Sequence, residues 1–143
     1  MNVQSEILIN KPVDKVADFA ANPDNASQWY FNIESVKWKT PRPLAVGSQI
    51  VFKAQFLRRK RIYIYVITEY IPGQKLVMQT AEAPFPVQTT YTWRKETNDQ
   101  TRMSLHNNGH LGGVLKLFSP FIKTMMRKEN NRDLKKIKQI LES

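Results

Sequence analysis

Two histidines, twelve carboxylates and no cysteine bound the chemistry open to this 143-residue chain. Without cysteine there is no thiolate nucleophile, no disulfide and no thiolate ligand for a metal. His106 and His110 stand four residues apart, a spacing that pairs ligands on one face of a helix. The surrounding alternation predicts a strand instead, which spreads them by about 13 Å at roughly 3.3 Å per residue, too far for two ligands of one ion. His106 also falls on the face opposite Met103 and Leu105, so it reads as solvent-facing and no metal site is assigned. No Gly-x-Ser-x-Gly elbow is present to raise a serine nucleophile. Gly109, Gly112 and Gly113 match neither phosphate-binding pattern, so no nucleotide cofactor is indicated. Asp14, Asp18, Asp24, Glu96, Asp99, Glu129, Asp133 and Glu142 are expected at ends, turns or exposed helix positions. Among the other four, Glu69 and Glu82, both inside strands, are singled out as the carboxylates that burial could convert into acid–base groups. No residue is assigned a catalytic role.

The remaining chemistry is that of binding. Thr89, Tyr91 and Asn107 share strand parities with apolar neighbours and are therefore expected to point inward. A buried amide or phenol without a partner costs about 1–3 kcal/mol, so these groups must hold one another, water or a ligand. Phe52, Phe56, Trp93 and Met103 on strands, with Phe118, Ile122 and Met125 on the last helix, supply apolar wall. The candidate ligand-binding set is thus Phe52, Phe56, Thr89, Tyr91, Trp93, Met103, Asn107, Phe118, Ile122 and Met125. Its polar members would orient one end of the ligand. Met78, Met103 and Met125 would let the wall adapt, with Met126 turned away. The competing reading is that the apolar members simply fill a core.

The elements that must position these residues follow from periodicity. Residues 3–9 alternate as a half-buried strand. Asn10-Lys11-Pro12 breaks it and opens a short helix with Val13, Val16, Phe19 and Ala20 as its stripe. A second short segment carries Trp29 and Tyr30. Strands are then expected over Ile33–Lys39, Gln49–Leu57, Ile62–Ile71, Lys75–Ala83, Val87–Lys95 and Thr101–Gly109. Ile62–Ile71 is apolar on both faces and is placed in the middle of the sheet or under a cover. Pro72-Gly73-Gln74 is a turn, with proline presetting one central dihedral and glycine supplying positive φ. From Leu111 to Leu141 a long amphipathic helix is expected, with Leu111, Leu115, Phe118, Ile122, Met125, Leu134, Ile137 and Leu141 on one face and a kink at Ser119-Pro120. The kink and the loop Pro84-Phe85-Pro86 are the candidate entrance to a cavity.

Length and an apolar fraction of 41% fit one domain spanning 1–143 with a real core. The opening Met1-Asn2-Val3-Gln4-Ser5-Glu6 lacks the basic and apolar regions of a signal peptide, and no run reaches the roughly 18 apolar residues of a membrane span, so a cytoplasmic location is expected. The net charge of +10 raises an anionic membrane or nucleic acid as partner. Arg58, Arg59, Lys60 and Arg61 are read as a solvated hairpin turn, and the lysines and arginines of the last helix as its solvated face. That reading is favoured over docking.

The order strand, two short helices, six strands, long helix resembles the helix-grip fold of the START-like (SRPBCC) superfamily, in its polyketide cyclase/dehydrase-type branch. The resemblance is carried by Ile9, Pro12 and Val16 at the first strand–helix junction and by Trp29 in the second short helix. It is carried further by the turn YIPGQKLVMQT, the hairpin TYTWRKETNDQTRMSLH, and Leu134, Ile137, Lys138 and Leu141 near the end. It implies an α+β fold in which a seven-stranded curved antiparallel sheet wraps around a long C-terminal helix. It also implies a cavity for a lipid, polyketide, isoprenoid or similar hydrophobic molecule. The expected function is binding without catalysis and without a cofactor. The alternatives are a cyclase or dehydratase using Tyr91, Asn107 and Glu69 or Glu82, and a basic module docking on an anionic membrane or nucleic acid.

Overall fold

The computed structural model of the protein describes residues 1–56, 58–83 and 86–143; the side chains of Phe56, Val114 and Leu115 also lie outside the described set. Seven strands form one antiparallel, curled sheet: β1 (Asn2–Ile9), β2 (Ile33–Trp38), β3 (Gln49–Phe56), β4 (Arg59–Ile71), β5 (Lys75–Glu82), β6 (Val87–Thr97) and β7 (Gln100–Gly109). Their order is β1-β7-β6-β5-β4-β3-β2, a meander from β2 to β7 with β1 added alongside β7. The predicted helix-grip architecture is therefore the observed one.

Between β1 and β2 lie α1 (Val13–Ala21), a single 3₁₀ turn and α2 (Ala26–Trp29). Pro12 stands just before α1, where its missing N–H is no loss, and its carbonyl accepts from Val16 N–H at 3.1 Å. Val16, Ala17, Ala20 and Ala21 face the core. Trp29, nearly free of solvent contact, stacks on Tyr30 with ring centroids 4.1 Å apart and lies 5.9 Å from Tyr91.

The period of two puts Thr101, Met103, Leu105 and Asn107 of β7 and Val87, Thr89, Tyr91 and Trp93 of β6 on the concave face. The register pairs Thr89 with Asn107, Tyr91 with Leu105 and Trp93 with Met103. The β4–β5 pair has two register irregularities, and both fall at the strand carboxylates. Between Ile67 and Glu69 the pairing with Met78 and Val77 slips by one residue, which turns Glu69 to the outer face, where Lys75 lies 3.3 Å away. On β5, Thr80 pairs with Tyr65 but Glu82 pairs with Ile64, and Glu82 ends up exposed.

Two sequence expectations need correction. The basic run is not a solvated turn: β4 begins at Arg59, Arg59 pairs with Phe56, and only Arg58, at φ 64, belongs to the turn. Lys60 reaches Glu34 at 3.5 Å, and Arg61 shares the inward parity of Tyr63 with its Nε buried and unpartnered. Strand pairing with β3 outweighs the preference of charges for a turn, because each backbone group in the ladder must be satisfied. Nor is there one kinked helix from Leu111. A short α3 (Val114–Leu117) is followed by α4 (Ser119–Glu142), with Pro120 in its first turn. A proline tolerated at a helix start ends the preceding helix instead of bending a continuous one. β4 does sit inside the sheet, between β3 and β5, although Ile62 is solvent-exposed on its outer face. Among the described residues no helix is long and apolar enough to cross a membrane.

The C-terminal half of α4 is what closes the fold. Leu134 and Ile137 join the core cluster with Ile9, Val16, Trp93 and Met103. Lys138 Nζ donates to the Leu8 carbonyl at 2.7 Å, and Asn10 N–H donates to Glu142 at 2.9 Å. Replacing the fully buried Ile137 by Ala should therefore cost about 2–5 kcal/mol in urea unfolding. Leu117→Ala, at an exposed site beyond that clamp, should change stability by no more than about 0.5 kcal/mol.

Candidate functional site

A cavity of about 150 Å³ lies between the concave sheet and the middle of α4. β3 contributes Phe52 and Ala54, β4 contributes Tyr63 and Tyr65, and β5 contributes Met78. β6 and β7 add Val87, Thr89, Tyr91 and Asn107, while Tyr30 and Ile33 close the side below α2. From α4 come Met126, Glu129, Asn130 and Asp133, on steps of three and four that form one inward stripe.

A polar strip crosses this wall from sheet to helix. Thr89 Oγ1 donates to Asn107 Oδ1 at 2.7 Å, and Asn107 Nδ2 donates to Asn130 Oδ1 at 3.3 Å. Asn130 Nδ2 is buried and has no hydrogen-bond partner among the described residues. The Tyr30 and Tyr91 hydroxyls form a short hydrogen bond with each other. Asp133, only 4% exposed, accepts the Phe31 backbone N–H at 3.0 Å.

Burial governs ionisation here. Loss of hydration pushes the Asp133 carboxyl up to about 7; the Phe31 N–H counters this, the neighbouring Glu129 charge adds to it and Arg132 opposes it. Glu129 is likewise raised, first by burial, with an Asn32 hydrogen bond and Arg132 pulling the other way. Burial pushes the Tyr63 phenol up to about 12 and those of Tyr65 and Tyr91 well above the ordinary phenol value, so all three stay protonated. The site thus offers neutral phenols, amides and one carboxyl that is half-protonated at neutrality. A protonated carboxyl donates to a carbonyl oxygen and a carboxylate accepts from a hydroxyl, so Asp133 can meet either group.

The way out runs past Asn32, Gln55 and Glu129, which line both the cavity and an outer groove of about 540 Å³. Phe31, Arg58, Phe121, Met125 and Arg132 complete that groove. The entrance is therefore at the α2–β2 junction, the end of β3 and the side of α4. It is not at Pro120; of the loop proposed from the sequence, Pro84 and Phe85 lie outside the described residues.

Of the residues singled out from the sequence, Phe52, Thr89, Tyr91 and Asn107 come together around the cavity. Trp93, Met103 and Ile122 are buried in the packed interior and do not line it. Phe118 is on the surface, Met125 faces the outer groove, and the side chain of Phe56 lies outside the described residues. Met126, expected to turn away, faces the cavity. Asp133 and Glu129, expected at exposed helix positions, belong to its roof. A signal for them exists: the apolar stripe of the helix is empty between Met125 and Leu134, and the positions filling that gap are Glu129, Asn130 and Asp133.

A sequence model of the family described as polyketide cyclase / dehydrase and lipid transport matches residues 1–142. No curated protein sequence matches the chain. Solved structures share its fold at low identity. The protein TTHA0849 of Thermus thermophilus is 16% identical with a TM-score of 0.84, covering 97% of this chain and 95% of its own. A START superfamily protein of Mycobacterium smegmatis is 10% identical with a TM-score of 0.83, covering 99% and 97%. The Zhui aromatase/cyclase of Streptomyces sp. R1128 is 11% identical with a TM-score of 0.82, covering 99% and 93%.

The raised Asp133 carboxyl carries a pH signature. Its ordinary value is 3.8, so between about 4 and 7 the folded protein holds a proton that the unfolded chain has released. Stability from this group is complete below the lower value and is lost as pH rises toward 7, by at most roughly 4 kcal/mol. Asp133→Asn keeps an acceptor for Phe31 N–H and removes the charge. Urea unfolding should show the variant clearly more stable than the parent at pH 8 and close to it at pH 4. Parallel pH curves for the two proteins would refute the assignment.

Proposed function

The chain belongs to the polyketide cyclase/dehydrase and lipid transport family, and on that premise we propose that it binds a hydrophobic small molecule carrying a ring and an oxygen substituent, without transforming it. The observation that carries this reading is a cavity with apolar and aromatic walls crossed by one strip of polar groups. Size narrows the ligand. An apolar cavity of about 150 Å³ is enough for a benzene ring, so one ring would enter and the remainder of a larger molecule would lie in the outer groove. Phe52, Tyr63, Tyr65, Met78 and Met126 would supply non-directional contact. Thr89, Asn107, Asn130 and Asp133 would receive a hydroxyl or carbonyl at the ring's edge. That is the arrangement expected of a ligand site, apolar in bulk with few oriented polar groups.

A second reading is favoured by one specific observation, the Asp133 carboxyl near neutrality. A general acid–base is most effective when its pKa lies close to the working pH. In a cyclisation or dehydration, Asp133 would protonate a carbonyl or a departing hydroxyl, with Asn107 and Tyr91 orienting the substrate. Glu69 and Glu82 take no part in it, since the strand irregularities carry both to the outer face.

Thermal unfolding against a panel of phenols, aryl ketones and their unsubstituted parent rings tests the first reading. The oxygenated members should raise the melting temperature. Their affinity should exceed that of the parent ring by about tenfold, the worth of one well-made buried hydrogen bond. Asn130→Leu should abolish that preference while leaving the parent ring bound. A panel without any stabilising member would overturn the binding reading. Product formation lost in Asp133→Asn with binding retained would replace it by the second.

A further inference from the structure

Four large apolar side chains are exposed at the α2–β2 junction and at the α3–α4 junction: Phe31 at 68% exposure, Leu117 at 81%, Phe118 at 54% and Phe121 at 65%. Phe31 and Phe121 face each other across the outer groove, into which the cavity opens. Phe118 precedes Phe121 by three residues at the start of α4, so the two share one side of that helix. Scattered exposed hydrophobics are ordinary, but a contiguous aromatic cluster at the mouth of an apolar cavity marks an interaction site.

What it interacts with is argued from charge. Along α4 this patch continues into a second groove lined by Thr124, Arg127, Lys128, Asn131, Arg132 and Lys135, which holds four cations and no acid. Among the described residues none of these four cations is in an ion pair. Arg132 lies over the Phe31 ring, 3.7 Å from its centroid, so it bridges the aromatic and the cationic zones. Arg58 flanks the groove from the opposite side. Aromatic and aliphatic side chains fringed by cations are the composition of a surface that seats in the headgroup layer of an anionic bilayer.

We propose that this face docks on an anionic lipid membrane. Phe31, Leu117, Phe118 and Phe121 enter the interface, the α4 cations pair with headgroup phosphates and carboxylates, and the cavity mouth is held at the level where a hydrophobic ligand leaves the lipid. Nucleic acid uses the cations but gives an exposed leucine nothing to do. A second copy of the chain brings the same net charge of +10 against itself. Docking stands apart from the identity of the ligand, because the surface is complete whatever the cavity holds.

Vesicle flotation with phosphatidylcholine vesicles, with and without phosphatidylserine, tests it. The protein should float with the phosphatidylserine vesicles, stay largely behind with the neutral ones, and release as salt rises. Phe118→Ser with Phe121→Ser should weaken flotation at least tenfold; both sites are exposed, and serine favours a helix start, so thermal unfolding should be unaltered. Arg127→Ser with Lys128→Ser and Lys135→Ser should weaken it by roughly fivefold per charge. Protein that stays behind with the phosphatidylserine vesicles at low salt overturns the proposal. So does flotation that neither set of substitutions weakens. Light scattering that shows a dimer dissolved by the phenylalanine pair would instead assign the patch to a second copy.

Discussion

Everything else in this structure depends on how the C-terminal half of α4 is clamped to the sheet. Leu134 and Ile137 are buried against the core, and the last turns are tied to the end of β1 through Leu8, Asn10, Lys138 and Glu142. Those contacts set the height of the helix above the sheet. Further toward the N-terminus the same inward stripe carries Asp133, Asn130, Glu129 and Met126, which do not fill the space beneath them. Further still, Ile122 is buried while Phe121 and Phe118 are exposed. One helix thus passes from sealed core through a polar roof to an exposed aromatic edge. The cavity exists because the clamp holds up a segment that could not by itself pay for its own burial.

The sheet contributes a complementary constraint. Its period of two forces every second residue of β6 and β7 inward, polar or not, and the register sets Thr89 beside Asn107. Those two satisfy each other and pass the remaining amide hydrogen-bond capacity to Asn130 on the helix. Where a carboxylate would have been driven inward by the same alternation, at Glu69 and Glu82, a slip in register removes it. The concave wall is therefore polar, but among the described residues it carries no sheet-borne carboxylate. Among the described residues, ionisable carboxylates reach the cavity only from α4, where Glu129 and Asp133 are one turn apart, both raised by burial, with the Glu129 charge adding to the rise of Asp133. That separation of labour makes the helix the electrostatic partner and the sheet the shape of the site.

Much of the fold was legible in the sequence because its signals are local. Alternation over residues 3–9, 87–95 and 101–109, the turn at Pro72-Gly73, and the break at Asn10-Lys11-Pro12 each act within a few residues. What was not legible depends on pairing across strands. The parity of Glu69 and Glu82 cannot be read from β4 or β5 alone, since an irregularity appears only when both are laid side by side. The start of β4 at Arg59 was hidden because a cationic run resembles a turn until its ladder partner on β3 is known. At the site, inward strand positions such as Phe52, Thr89, Tyr91 and Asn107 were accessible to parity. Asp133 and Asn130 were not, because hydropathy counts the absence of an apolar residue as exposure. The gap between Met125 and Leu134 held the information, but a helix stripe interrupted by polar residues means exposed surface on most helices and a cavity roof on this one.

The same polar roof makes the site thermodynamically expensive when nothing meets it. Asp133 is raised chiefly because burial removes water and the Phe31 N–H and Arg132 offset that loss only in part, and Asn130 Nδ2 is buried with no acceptor among the described residues. A core selected for stability alone would carry Leu or Met at both positions, since a buried polar group short of partners costs more than an apolar one of similar volume. A ligand oxygen placed between them could accept from Asn130 and exchange a hydrogen bond with Asp133, which offsets both penalties at once. An unsubstituted hydrocarbon could offset neither and would leave both groups cut off from water. The discrimination of the site therefore resides less in the aromatic walls, which accept any ring of the right size, than in two adjacent turns of α4.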